Sequence, residues 1–116
     1  MFKYSEETGA YLAELNGVEF VCEDPSEEFE ALAETLADCY EDRLPALAEF
    51  ILEEMENDGL GYGPLTAPQL IAALGKPQID LDQNAVRYME HTLDDHIFEV
   101  EFDGDLKEFL VFTIDG

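Results

Sequence analysis

The run His96-Ile97-Phe98-Glu99-Val100-Glu101-Phe102-Asp103-Gly104, followed by Leu106-Lys107-Glu108-Phe109-Leu110-Val111-Phe112-Thr113-Ile114, decides the fold class. In the first stretch Phe98, Val100 and Phe102 fall on one side of an extended chain and Glu99 and Glu101 on the other. That two-residue period belongs to a half-buried strand. Asp103-Gly104 is a hairpin signal, because both residues tolerate a positive φ. The second stretch is apolar at almost every position from Phe109 to Ile114, which suits a strand covered on both faces. It is therefore expected in the centre of a sheet, beneath helices.

Further strands lie upstream. Ile79 and Leu81 suggest a short one, and Ala85-Val86-Arg87-Tyr88-Met89 another. Near the N-terminus, Tyr11–Leu15 and Val18–Cys22 alternate on either side of Asn16-Gly17, the strongest short hairpin signal. A weaker strand precedes them at Phe2–Tyr4.

Between the two groups of strands the period changes. Asp24-Pro25-Ser26-Glu27 reads as a helix start, with Asp24 as cap, Pro25 at the first helical position and Glu27 reaching back to the cap. Phe29, Leu32, Leu36, Cys39 and Tyr40 recur at helical spacing, and so do Leu47, Phe50, Ile51 and Met55. Pro45 separates the two sets and predicts two helices, or one kinked helix, ending at Asn57-Asp58-Gly59. Gly59-Leu60-Gly61-Tyr62-Gly63-Pro64 predicts a loop, and it is no phosphate loop, since no Gly-Lys-Ser/Thr follows. A short helix should then open with Thr66 and Gln69 as a capping box and close at Gly75. The expected fold is a single α+β domain over residues 1–116. It consists of an antiparallel sheet of about five to six strands, two central helices packed on one face, and one short extra helix.

Composition supports a folded chain and narrows its partners. The 116 residues are 47% hydrophobic with eight Phe and five Tyr, enough large apolar side chains to build a core without metal or disulfide. Cys22 and Cys39 are too few for a disulfide framework and read as buried thiols, one in a strand and one on the apolar side of a helix. No basic region precedes an apolar run at the start, and no apolar stretch approaches the ~20 residues of a membrane span, so a cytoplasmic protein is expected. Asp and Glu total 29 against five Lys and Arg, a formal net charge of −24. That balance argues against direct binding to nucleic acid or an anionic membrane and permits a basic protein partner, metal ions, or simply solubility.

The charge concentrates between Glu23 and Asp58, where fourteen carboxylates accompany one base, Arg43. Helices tuned for stability place Lys four residues after Glu, and like charges at that spacing cost a few tenths of a kcal/mol each. Glu27, Glu30, Glu34, Asp38 and Glu41 lie on or near one stripe and form the candidate partner-binding set. If the whole segment were helical it would carry roughly one carboxylate per 3.9 Å, close to the ~3.4 Å between phosphates of one DNA strand. The stripe thus reads as a surface that imitates nucleic acid for a basic protein, or more plainly as a solvated acidic face.

Other constellations read as local structure. Asp80-Leu81-Asp82-Gln83-Asn84 lacks the glycine and closing glutamate of a calcium loop and fits a turn. His91 and His96, with Asp94 and Asp95 between them, are spaced for a turn with exposed histidines rather than for a metal. Ser5 and Ser26 lie in no nucleophile elbow. No catalytic, cofactor-binding or metal-ligating residue is assigned.

From the short helix onward, Pro77-Gln78-Ile79-Asp80-Leu81, a strand ending near Tyr88, and His96–Gly104 leading to Phe112-Thr113-Ile114-Asp115-Gly116 resemble small bacterial domains of unknown function. In those domains a His-hydrophobic-X-Glu/Asp-Val strand pairs with a closing strand that ends in Asp-Gly. Some of them are similar to immunity proteins of bacterial toxin systems. The resemblance covers about residues 66–116, implies a non-enzymatic binding role, and transfers no active-site residue. The expected function is therefore an immunity or inhibitor-type protein docking a basic partner through its acidic helix. Two readings from other classes stay open: a structural or adaptor domain whose charge serves solubility, and a metal-dependent enzyme with an unrecognised carboxylate site.

Overall fold

The structure is a computed structural model that describes residues 1–57, 59 and 64–115. One sheet of seven strands carries two helices. In chain order the elements are β1 (Lys3–Ser5), β2 (Ala10–Leu15), β3 (Val18–Cys22), α1 (Glu27–Asn57), α2 (Ala67–Leu74), β4 (Pro77–Asp80), β5 (Ala85–Tyr88), β6 (Ile97–Asp103) and β7 (Glu108–Asp115). Sheet order follows chain order from β1 to β7. Four of the six expected loop residues, 60–63, lie outside the described residues, as does residue 58.

The α+β class stands, but the sheet is larger than the expected five to six strands and is not purely antiparallel. β3 and β4 run parallel, with Phe20 beside Ile79. A parallel neighbour needs a long crossover, and here the crossover contains both helices. Leu81 N–H extends the pairing by donating to Val21 O, and Glu23 N–H donates to the Asp82 carboxylate at 2.8 Å. Every other neighbouring pair is antiparallel.

The register sorts side chains into two faces. Ala13, Phe20, Ile79, Val86, Val100 and Phe112 line up across six strands, and all are buried under the helices. The neighbouring row, Glu14, Glu19, Gln78, Arg87, Glu99 and Thr113, occupies the opposite, open face.

Of the two arrangements expected at Pro45, two helices or one kinked helix, the two-helix one is absent: a single helix is continuous through Pro45. An internal proline removes one backbone bond and costs about 3 kcal/mol in a helix interior. Two circumstances offset that cost. Pro45 faces solvent, so water can reach the freed carbonyl, and the apolar sets on either side of it join one core. Leu36, Ala37 and Tyr40 before it, and Leu47, Ala48 and Ile51 after it, are all buried in that core.

The start of α1 is also shifted. Ser26, not Asp24, is the cap: its Oγ accepts from Phe29 N at 3.1 Å, and its carbonyl accepts from Glu30 N. For α2 the sequence reading stands, since Thr66 and Gln69 form the reciprocal capping box. Gly75 ends that helix at φ +75°, where a Cβ would lie 3.3 Å from the Glu90 carbonyl.

The mid-helix segment of α1 is held between two hairpin tips from opposite parts of the sheet. On one side Asn16, at the tip of β2–β3, donates from Nδ2 to Ala37 O. Asn16 and Gly17 have φ of 53° and 80°, the two positive values a type I′ turn requires. On the other side Arg43 donates from Nε to Leu106 O at 2.8 Å and from Nη2 to Lys107 O, both at the β6–β7 tip. The hairpin expected at Asp103-Gly104 is present, but its tip runs on to Lys107. Asp103 pairs with Glu108, and Leu106 turns inward at φ +62° to become fully buried. Burial of a leucine and the grip of Arg43 on its carbonyl offset an unfavourable backbone conformation.

The largest correction concerns β7, which lies at the edge of the sheet and not at its centre. A bulge explains why it looked apolar on both faces. Glu101 pairs with Val111 and Phe102 with Phe109, so Leu110 is an extra residue in the ladder. Across an extra residue the two-residue period breaks, which lets Phe109 and Phe112, three apart, both meet the core. Leu110 and Val111 face solvent.

Candidate functional site

The acidic stripe lies on the first half of α1. Glu27 opens the helix, and with Glu28 and Glu30 it fills the first turn, where negative charge meets the positive end of the helix dipole. Residues 27, 30, 34, 38 and 41 fall within about 80° of arc at 100° per residue. Glu27, Glu34, Asp38 and Glu41 are exposed. Glu30 is half-buried and stands 3.7 Å from the N-terminal ammonium. Glu34, Asp38 and Glu41, with Asp42, also border two shallow depressions against the β2–β3 tip, whose floor is Asn16 and Ala37. The stripe is thus one continuous surface, bounded by a hairpin tip along one side and open to solvent.

Only Glu30 of the stripe has a cation beside it among the described residues, the N-terminal ammonium. Among the described residues Glu27, Glu34, Asp38 and Glu41 take part in no ion pair. The Glu30–Glu34 and Glu34–Asp38 pairs repel at i,i+4 spacing, and so does Asp38 with Asp42. Arg43, the one base on the helix, points to the β6–β7 carbonyls, and its guanidinium carbon lies 5.4 Å from the centre of the Phe109 ring. Sequence reasoning gave Arg43 no role. A single base in so acidic a segment was the available signal, because it marks a charge needed for something other than pairing along the helix.

The open face of the sheet handles charge differently. Arg87 is held between Asp80, at 3.0 Å, and Glu99, at 2.9 Å. Burial works against its charge, but the Glu99 hydrogen bond and the Asp80 carboxylate outweigh that and raise its pKa. Gln78 donates to Glu19 at 2.6 Å, and Lys76 pairs with Glu14. The Glu14 hydrogen bond raises the pKa of the exposed Lys76.

The remaining sequence candidates separate. Asp80–Asn84 is a turn: Asp80 Oδ1 accepts from Asp82 N and Gln83 N, while Asp82 ties β4 to the end of β3. His91 is buried, against the expectation of two exposed histidines. Its ring stacks on Phe98 at 3.8 Å, Nδ1 accepts from Leu93 N, and Nε2 donates to His96 O. His96 is exposed, 3.1 Å from Asp94. Cys22 is buried as expected. Cys39 is half-buried and donates to Leu36 O and Asp105 O. Burial raises the pKa of both thiols.

One buried polar pair had no signal in the sequence. Tyr40 of α1 and Tyr88 of β5 share a hydroxyl–hydroxyl hydrogen bond inside the core. Burial pushes Tyr40 up to about 12 and Tyr88 well above the ordinary phenol value. Among the described residues no group of three or more His, Cys, Asp or Glu is arranged to hold a metal ion, and no helix is long and apolar enough to cross a membrane. No family model, no curated protein and no solved structure matches this chain.

Proposed function

We propose that this chain is a non-enzymatic binding protein of the immunity or inhibitor type, which docks a basic protein partner through Glu27, Glu30, Glu34, Asp38 and Glu41 of α1. One observation carries the reading. Among the described residues Glu27, Glu34, Asp38 and Glu41 have no cation, while Arg43, Lys76 and Arg87 are engaged elsewhere in the molecule. A row of exposed carboxylates with mutual repulsion gains most from a partner that supplies the missing positive charge. Such a surface speeds encounter and disfavours acidic competitors more than it adds affinity.

The test is the association rate of the protein recovered from the source cell by cross-linking to this chain. Glu34→Lys together with Asp38→Lys should slow association at least ~10-fold at low salt, the lower end of what steering by a charged face supplies. Between about 0.05 and 0.5 M salt the native rate should fall toward that of the variant, as the screening length shrinks. Equal rates for the two proteins at low salt would leave the stripe a solvated face.

A further inference from the structure

The two ends of the sheet are built differently. β1 is three residues long and carries Lys3, and both features discourage a further strand from pairing. β7 is eight residues long, has neither Lys nor Pro between Glu108 and Asp115, and runs regularly from Val111 to Asp115 past its bulge at Leu110. Among the described residues its one strand neighbour is β6. Among the described residues the backbone groups on its other side pair with no further strand, along a length that can template another. Its middle is apolar as well. Leu110 and Val111, 53% and 44% exposed, are the one adjacent pair among the large hydrophobic side chains left exposed on the described surface.

Carboxylates surround that apolar centre. Glu108 and Asp115 close the two ends of the strand. Val111 pairs with Glu101 of β6, so that carboxylate stands on the same face of the sheet.

We propose that β7 accepts an added strand: an extended segment of a partner protein, apolar at its centre and basic at both ends. Main-chain hydrogen bonds would hold it, apolar side chains would cover Leu110 and Val111, and lysine or arginine would meet the flanking carboxylates. Charge selects this occupant over a second copy of the chain. Antiparallel pairing of β7 with itself about its centre sets Glu108 of each copy across from Asp115 of the other, between chains of formal net charge −24. Like charges directly opposite are destabilising in a ladder, and the long-range repulsion adds to that. This surface is distinct from the acidic stripe of α1 and does not depend on it.

The probe is a short synthetic peptide with alternating valine and threonine at its centre and two lysines at each end, titrated into the full chain at about 0.05 M salt. Backbone amide shifts and hydrogen exchange are followed by NMR. Amides of residues 108–115 should shift and gain at least ~10-fold protection, while those of β1 stay unchanged. Val111→Lys and, separately, Leu110→Lys should each weaken binding at least ~10-fold with the far-UV spectrum of the fold retained. Raising salt to about 0.5 M should weaken it by a similar factor. Glu34→Lys with Asp38→Lys should leave the β7 response within about twofold, so this site and the helical stripe fail or succeed separately. Three results would overturn the proposal: no protection of β7 at millimolar peptide, equal binding of a peptide with glutamates in place of the lysines, or β7 protection that rises with protein concentration in the absence of peptide. The last would assign the edge to a second copy.

Discussion

On the open face of the sheet, Arg87 lies between Asp80 and Glu99, Lys76 lies against Glu14, and Gln78 donates to Glu19. On the exposed face of α1, Glu30, Glu34 and Asp38 follow one another at four-residue spacing with no base among them. The difference lies in what each element forces on its side chains. Residues directly opposite in neighbouring strands have Cβ atoms about 5 Å apart, and Asp80, Arg87 and Glu99 are each largely covered, so uncompensated charge there is costly. Exposed helix positions let carboxylates spread into water, and each repulsion costs only a few tenths of a kcal/mol. A folded chain can therefore keep an unpaired acidic row on α1 but not in the middle of its sheet.

Substitutions on the two faces can break or sharpen that contrast, and the largest effect is expected in the sheet. Arg87→Met keeps much of the side-chain stem but leaves Asp80 and Glu99 without their cation. It should cost about 2–3 kcal/mol, less than a fully buried pair because all three groups keep some contact with water. Urea denaturation would measure it, and a loss below about 0.5 kcal/mol would mean the sheet tolerates bare carboxylates as well as the helix does.

An intermediate effect is expected where the two elements meet, at Tyr40 and Tyr88. Tyr40→Phe strands the buried Tyr88 hydroxyl and should cost about 1–2 kcal/mol, while changing both tyrosines to Phe should recover most of that. The pair also predicts an alkaline limit. Burial raises both folded pKa values above the unfolded value near 10, so the folded state holds more protons in this range. Their contribution is therefore complete below about pH 10 and is lost as pH rises through about 12. The doubly substituted protein should lose less stability over that interval than the native chain, and identical pH profiles would remove the pair as the cause.

The smallest effect sharpens the comparison by its sign. Glu34→Lys and Glu99→Lys make the same charge change on the two faces. The first relieves repulsion on α1 and should stabilise by a few tenths of a kcal/mol. The second puts a cation opposite Arg87 and should destabilise by about 1 kcal/mol. Shifts of the same sign in thermal melts of the two variants would mean that net charge, and not local pairing, governs both surfaces.

How much of this was legible in the chain depends on the range of the interaction. Asn16-Gly17, the Thr66–Gln69 capping box and the close at Gly75 could be read directly, because each is a contest between neighbouring residues over φ values and orphan N–H groups. The acidic stripe could be read too, since helical spacing alone puts 27, 30, 34, 38 and 41 together. The cap of α1 was misplaced by two residues within Asp24-Pro25-Ser26, where two side chains of capping type compete and proline suits the entry to a helix.

By itself, then, the sequence determined the α+β class, the Asn16-Gly17 hairpin, the caps of α2 and the position of the acidic row, all set by residues within a turn or two of each other. Tertiary structure alone decided that α1 continues through Pro45, that β3 and β4 run parallel, that Arg43 serves backbone carbonyls and that β7 is an edge. Each of those joins residues that lie far apart in the chain: Phe20 with Ile79, Arg43 with Leu106, and the two halves of α1 with one shared core. Local preference is worth a few kcal/mol at most at any of these places, and the burial of a common core outweighs it.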